Sequence, residues 1–299
     1  MRRRTCRKRG EEIPIKIKEI EAKHVLVKSN LPDTDYVVNP YTGCEFGCAY
    51  CYASFMGRFV DEPIGNWGNY VYVKKNAVDA FKKDLARLPQ KERMSSIFLS
   101  SVTDPYQGVE ARYKLTRGIL EALADDAYPG EVGILTKSAM VTRDIDIFHK
   151  LVNPDIGMTI TTTDDALGRF LEVRASATSL RLSTLKKLSA EGFDTYAFVG
   201  PLLPHFRYEP DLLDKLFGSL VDSGVKQVYV EHINMKSYIR ERLMKTLEQA
   251  RPEVREVYAN ADTEPHRKEL DRIVSGLLKE HGLELRLKEV IYHKEWMDK

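Results

Sequence analysis

Cys44, Cys48 and Cys51 form a C-x3-C-x2-C loop, Cys44-Glu45-Phe46-Gly47-Cys48-Ala49-Tyr50-Cys51. Thiolates are soft ligands suited to iron–sulfur clusters or zinc. A four-iron cube wants one ligand per iron, so three cysteines leave one iron open to an exogenous molecule. Structural zinc wants a closed four-ligand shell. The remaining cysteine is Cys6, in a basic N-terminal stretch, and the histidine nearest the loop is His24. A secreted disulfide scaffold would spread more cysteines along the chain. Thiols this close, in a chain with no export signal, read as metal ligands in a reducing cytoplasm.

The elements that must position this loop alternate. Tyr36-Val37-Val38 is extended and leads into it, and Tyr70-Val71-Tyr72-Val73 is β-branched and aromatic. Helical apolar spacing follows over Ala77–Leu88. Strands are predicted at Ser96–Ser100, Val132–Lys137, Ile156–Thr161, Thr195–Val199 and Gln227–Glu231. Helices are predicted between them, near Leu115–Leu123, Asp144–Leu151, Ser179–Ser189 and Leu212–Leu220. Beyond lie helices near Ile239–Gln249 and Pro265–Lys279 and an extended Leu283–Ile291. Strand and helix alternating at roughly 25–35 residue spacing argue parallel βαβ units. Five or six such units fall short of an eight-unit barrel of about 250 residues, so an incomplete barrel or an open doubly wound sheet are the candidates. Either places chemistry at the carboxyl ends of the strands. Polar residues gather there: Thr103-Asp104, Thr136-Lys137, Thr159 to Asp165, and Glu231-His232 with Asn234.

Composition narrows the class. The 299 residues are 43% apolar and 30% charged, enough for a sizeable core. Lys+Arg 46 against Asp+Glu 44 leaves a net charge of +2, which excludes a wholly basic coat protein but leaves room for a basic patch. No apolar run approaches the roughly 18 residues of a membrane span, so no membrane role is expected. Met1–Gly10 is followed by Glu11-Glu12 rather than an apolar stretch, which is not a secretory signal. The expected location is the cytoplasm. The expected division is a basic arm over residues 1–12, a barrel with its lead-in over 13–235, and an extension over 236–299 packing on the barrel.

The cysteine spacing, with aromatic Tyr50 before the last cysteine, resembles the radical S-adenosylmethionine (SAM) superfamily. Asn39-Pro40-Tyr41-Thr42-Gly43-Cys44 through Cys51-Tyr52, Val102-Thr103-Asp104-Pro105-Tyr106-Gln107, Leu135-Thr136-Lys137-Ser138, Arg143-Asp144 and Glu172-Val173-Arg174-Ala175 resemble its spore photoproduct lyase-like group. The resemblance covers about residues 36–205, matching in order and spacing. It implies an α/β fold, a partial (β/α)6 TIM-type barrel with a C-terminal extension of helix and strand. It implies a [4Fe–4S] cluster on Cys44, Cys48 and Cys51, with SAM on the open iron. One-electron reduction would then split SAM into methionine and a 5′-deoxyadenosyl radical that abstracts hydrogen from the substrate. The electron donor implied is flavodoxin- or ferredoxin-like.

The residues meet the physical demands of that reading. Lys137 offers an ammonium to the SAM carboxylate, and Asp104 and the Thr103 hydroxyl can accept from its amino group. Thr159 can bond the carboxylate or ribose, while Glu172 and Arg174 orient the ribose or pair with each other. Two positions bear on the reaction. Tyr52 matches the group's relay tyrosine, but Ser101 stands where the lyase uses a hydrogen-donating cysteine. A hydroxyl O–H is far stronger than a thiol S–H, so Ser101 cannot return a hydrogen atom as that cysteine would. Gly108 and Val173 also stand where the group has proline. The radical-generating half is intact and the dimer-splitting half is not. A nucleic acid is the expected substrate, with peptide, tRNA or small molecule as rivals; the basic arm would touch phosphates. The alternative is a non-catalytic iron–sulfur or zinc protein that binds nucleic acid and senses redox state. Such a sensor needs neither an open iron nor Asp104 and Lys137 beside it.

Overall fold

The computed structural model describes residues 14–292; the basic arm, with Cys6, lies outside the described residues. Six parallel strands carry the fold: Tyr36–Val38, Ile97–Leu99, Val132–Thr136, Pro154–Thr159, Thr195–Leu202 and Gln227–His232. They sit side by side in chain order in an eight-stranded sheet. Leu26–Lys28 lies antiparallel on one edge and Glu284–Leu285 parallel on the other. The register pairs Tyr36 with Ile97, Ile97 with Val132, Ile134 with Ile156 and Ile156 with Thr195. The two edge strands do not pair with each other, so the barrel is partial and open. Strands covered on both faces read as apolar runs, and Val38, Ile97, Leu99, Val132, Ile134, Ile156 and Val199 are all buried.

The crossovers are the helices their spacing predicts, at Ala77–Ala86, Leu115–Asp125, Thr178–Ala190 and Pro210–Asp222. The last starts with Pro210, whose missing N–H costs nothing there. Between Val132–Thr136 and Pro154–Thr159 the helix is reduced to a 3-10 turn and the single turn Ile145–Phe148. Tyr70–Lys74 is a strand, but not of the main sheet. It pairs in parallel with Lys16–Ile20 and antiparallel with Tyr41–Thr42, forming a small sheet behind the cysteine loop. Its side chains from Tyr70 to Val73 are buried, so both faces are covered and no alternation marked it apart.

The C-terminal segment contains Ser237–Thr246, Pro252–Ala259 and Glu264–His281 as helices. Pro252–Ala259 was not legible in the sequence. Its helix shows a single buried side chain, Tyr258, too little for a periodic pattern. Leu283–Ile291 is extended only at Glu284–Leu285 and at a bridge from Ile291 to Glu231. Leu243, Leu247, Tyr258, Leu270 and Val274 share one apolar core with Met158, Val199 and the cysteine loop residues Phe46, Ala49 and Tyr50. A second core, around Val38, Phe81, Leu99, Ile119 and Ile134, holds the early strands to their helices.

Candidate functional site

The cysteine loop leaves the small sheet at Thr42 and lies at the carboxyl end of the first barrel strand. Cys44 and Cys48 are buried, Cys51 is half-buried, and all three are free thiols. Backbone carbonyls and amides of the loop are held from three sides. Gly43 O accepts from Thr103 Oγ1 at 2.6 Å and Gln107 Nε2 at 3.3 Å, and Glu45 N donates to Gln107 Oε1 at 3.0 Å. Arg174 donates from Nη1 to Glu45 O at 3.2 Å and Gly68 O at 3.0 Å, and its backbone N–H reaches Phe46 O. Arg242 donates from Nε to Ala49 O at 2.8 Å and from Nη2 to Cys51 O. The Glu45 carboxylate accepts from Val109 N at 3.0 Å, and a Cβ on Gly108 would meet its Oε1 at 2.6 Å. The glycine where the group has proline thus fits a carboxylate of the cysteine loop.

Two glycines fix the turn. Gly47 has φ +60, and a Cβ on Gly68, itself at φ +92, would lie 2.7 Å from Gly47 Cα. Gly68→Ala is expected to destabilise the protein by about 1–3 kcal/mol, through a left-handed backbone and a backbone clash. Thermal unfolding checks this; an unchanged melting temperature contradicts it.

Burial pushes all three thiols above their ordinary range, Cys48 to about 12. The Lys137 ammonium opposes that shift at Cys48 and Cys51. Metal binding by these thiols would release their protons, so metal uptake should weaken in acid. Among the described residues no three His, Cys, Asp or Glu gather around one ion position. Three thiolates with no fourth ligand beside them among the described residues would leave a zinc shell open, whereas a four-iron cube can leave one iron to an exogenous ligand.

Strand ends two to four close the site. Asp104 Oδ1 accepts from Thr136 Oγ1 at 2.6 Å and Tyr106 N at 2.9 Å, and Oδ2 accepts from Lys137 N at 2.9 Å. Burial raises the Asp104 carboxyl, and these three bonds oppose the shift. The carboxylate therefore locks the backbone that carries Lys137. Lys137 Nζ lies 5.8 Å from the centre of the Tyr50 ring. Burial works against its charge, but Cys48 and Glu172 outweigh that and hold it above the ordinary lysine value. Among the described residues it has no carboxylate within ion-pair distance.

The pairing of Glu172 with Arg174 does not form. Glu172, 1% exposed, instead takes Arg181, the Tyr50 hydroxyl and, at 3.1 Å, Thr161 Oγ1. Arg181, also 1% exposed, further donates to Thr159 O at 3.0 Å and Ser176 O at 2.7 Å. Arg174 is committed to Glu45 O of the cysteine loop and to Gly68 O, both bound through its Nη1. Thr103 is likewise committed: its proton goes to Gly43 O, and its oxygen takes Gln107 Nε2 at 2.8 Å. Thr159 sits buried at the end of the fourth strand with its carbonyl bound by Arg181. Tyr52, 40% exposed, donates its hydroxyl proton to Ser101 O, and Ser101 Oγ lies 3.4 Å from Asn39 Nδ2. The structure thus brings Tyr52 and Ser101 together on the rim beside Cys51.

The sequence reading missed Arg181, Gln107 and Arg242. Arg181 sits among helical residues whose spacing marks only a buried face, nine positions from its partner. Arg242 comes from a segment with no motif. Gln107 falls inside a quoted motif, and its polar side chain after a strand end was the available signal.

A partial parallel barrel with three cysteine thiols over its strand ends, two buried and one half-buried, is an α/β architecture with soft ligands placed where such folds do chemistry. The chain belongs to the radical SAM superfamily, whose family model matches residues 38–216. It is a radical SAM enzyme, and membership of that family implies a [4Fe–4S] cluster and SAM as cofactors. It is 32% identical over 281 residues to the uncharacterized protein MJ0683 of Methanocaldococcus jannaschii, covering 93% of this chain and 98% of that one. It is 30% identical to the uncharacterized protein Mb2609c of Mycobacterium bovis, over 83% of this chain and 75% of that one. Among solved structures it resembles spore photoproduct lyase complexed with dinucleoside spore photoproduct, with TM-score 0.64 at 14% identity, over 90% of this chain and 81% of that chain. A variant of that lyase with bound AdoMet gives TM-score 0.63 at 14% identity, over 92% and 82% of the two chains. At these identities the likeness is one of fold. No described helix is long and apolar enough to cross a membrane.

Proposed function

We propose that this chain abstracts hydrogen from a nucleic acid substrate, using a radical made from SAM beside Cys44, Cys48 and Cys51. Bound together, the cluster and SAM supply a one-electron cleavage of the sulfonium that leaves methionine and a 5′-deoxyadenosyl radical. The observation that carries the reading is Lys137, whose backbone N–H is held by Asp104 and whose ammonium, 5.8 Å from the centre of the Tyr50 ring, has no carboxylate within ion-pair distance among the described residues. It is placed to take a carboxylate, and Asp104 keeps lone-pair capacity for an ammonium donor. The open mouth of the barrel over these strand ends is where a substrate reaches them.

Support for the substrate class comes from the likeness to a lyase solved with a dinucleoside and from the basic residues Arg2, Arg3, Arg4, Arg7, Lys8 and Arg9. The outcome differs from dimer splitting, because Ser101 offers no weak S–H bond. DNA deuterated in its sugars and methyl groups tests this reading. Deuterium recovered in 5′-deoxyadenosine is the expected result; unlabelled 5′-deoxyadenosine in its presence excludes DNA while leaving SAM cleavage intact. Two further outcomes are specific. Lys137→Ala should weaken SAM binding by about 1–3 kcal/mol, read by equilibrium dialysis; unaltered affinity removes Lys137 from the site. Deleting residues 2–9 should flatten the salt dependence of DNA affinity, and an unchanged slope removes the arm from binding.

A further inference from the structure

Arg242 differs from its neighbour Arg240 on the same helix. Two residues earlier, Arg240 pairs with Asp262 at 2.7 Å. Arg242 reaches no carboxylate among the described residues. Its Nε and Nη2 bind the carbonyls of Ala49 and Cys51, and its Nη1 is buried with no hydrogen-bond partner. Carbonyl dipoles satisfy N–H groups, but they do not neutralise a cation. One arm of this half-buried guanidinium is thus shut off from water with neither a hydrogen-bond partner nor an anion, which is costly unless a negative group comes to lie beside it. The two carbonyls it binds belong to Ala49 and to Cys51 itself, so a negative group held by the Cys48 and Cys51 sulfurs would lie against this guanidinium. Three thiolates give an oxidised [4Fe–4S] cube one net negative charge, and reduction adds a second.

We infer that Arg242 is the counter-cation of the cluster, supplied from outside the barrel by the Ser237–Thr246 helix, and that it favours the reduced state. The inference rests on the cluster assignment above. The guanidinium binds the backbone of the cysteine loop, so it acts through that loop as a positioning and charge-balancing residue. It also couples the C-terminal segment to the chemistry, since a shift of that helix would move a charge beside the cube.

A redox titration of the reconstituted cluster, followed by EPR, tests this. In Arg242→Gln, which keeps one donor and loses the charge, the reduced-to-oxidised ratio at a fixed potential should fall about tenfold, or 59 mV for a one-electron couple. Arg242→Lys keeps the charge but loses the fork, and its ratio should stay within about threefold of the parent. A loaded Arg242→Gln with the parent's potential overturns the inference, as does an Arg242→Lys shifted by the full tenfold. If Arg242→Gln takes up no iron, Arg242→Lys decides alone: a parental potential supports the charge role and a tenfold shift refutes it. A parent protein that forms no cluster would instead sink the cluster assignment itself.

Discussion

Cys48→Ala should lose the visible absorption of the cluster and all 5′-deoxyadenosine formation. Cys48 is the middle ligand of the loop and 5% exposed. It faces Lys137, whose ammonium opposes the rise of its thiol and is itself raised by Cys48. Substitutions around a metal site commonly cost 10–100-fold in affinity or activity. Removing a ligand should cost more, because two thiolates cannot hold a cube that three already leave with an open corner. The apoprotein should stay folded, since the loop's backbone is held by Gln107, Arg174 and Arg242 rather than by metal alone. Iron content, visible spectrum and thermal unfolding are the measurements. Full iron loading in Cys48→Ala contradicts the assignment.

Arg181→Met should destabilise the protein by about 3–5 kcal/mol, because it leaves the buried Glu172 carboxylate without its ion-pair partner. Glu172→Leu with Arg181→Met should recover much of that loss, since a buried pair exchanged for packed apolar side chains is often near neutral. The pH dependence follows from the carboxyl. Burial opposes its charge, but Arg181 and Lys137 outweigh burial and hold it below the ordinary glutamate value. A depressed pKa contributes stability that is present above the unfolded value, about 4.3, and is lost as pH falls through the folded value. The deficit of Arg181→Met is therefore full at pH 7 and shrinks in acid. Urea unfolding at several pH values measures it. A deficit below about 1 kcal/mol, or one that grows in acid, contradicts the pairing.

The sequence showed the chemistry more clearly than its support. The cysteine spacing and the polar strand ends at Asp104 and Lys137 were legible because motif residues sit close in the chain and strands end in short apolar runs. The six parallel strands followed from the alternation of periods. What could not be read was pairing across distance. Glu172 and Arg174 were expected to orient a ribose or to pair with each other, yet the helix Thr178–Ala190 carries Arg181 back over the strand ends, where it wins the carboxylate. Arg174 is drawn instead to carbonyls of a loop more than a hundred positions earlier. Tyr70–Lys74 looked like any other strand because burial on both faces erases the alternation that would assign it to a sheet.

Reductive cleavage of SAM is the measurement closest to the central claim. The protein is reconstituted with iron and sulfide under anaerobic conditions, reduced with dithionite, and given SAM. The account predicts 5′-deoxyadenosine and methionine in equal amounts, formed by the parent and absent in Cys48→Ala. A fully loaded, reduced parent that leaves SAM intact would contradict it.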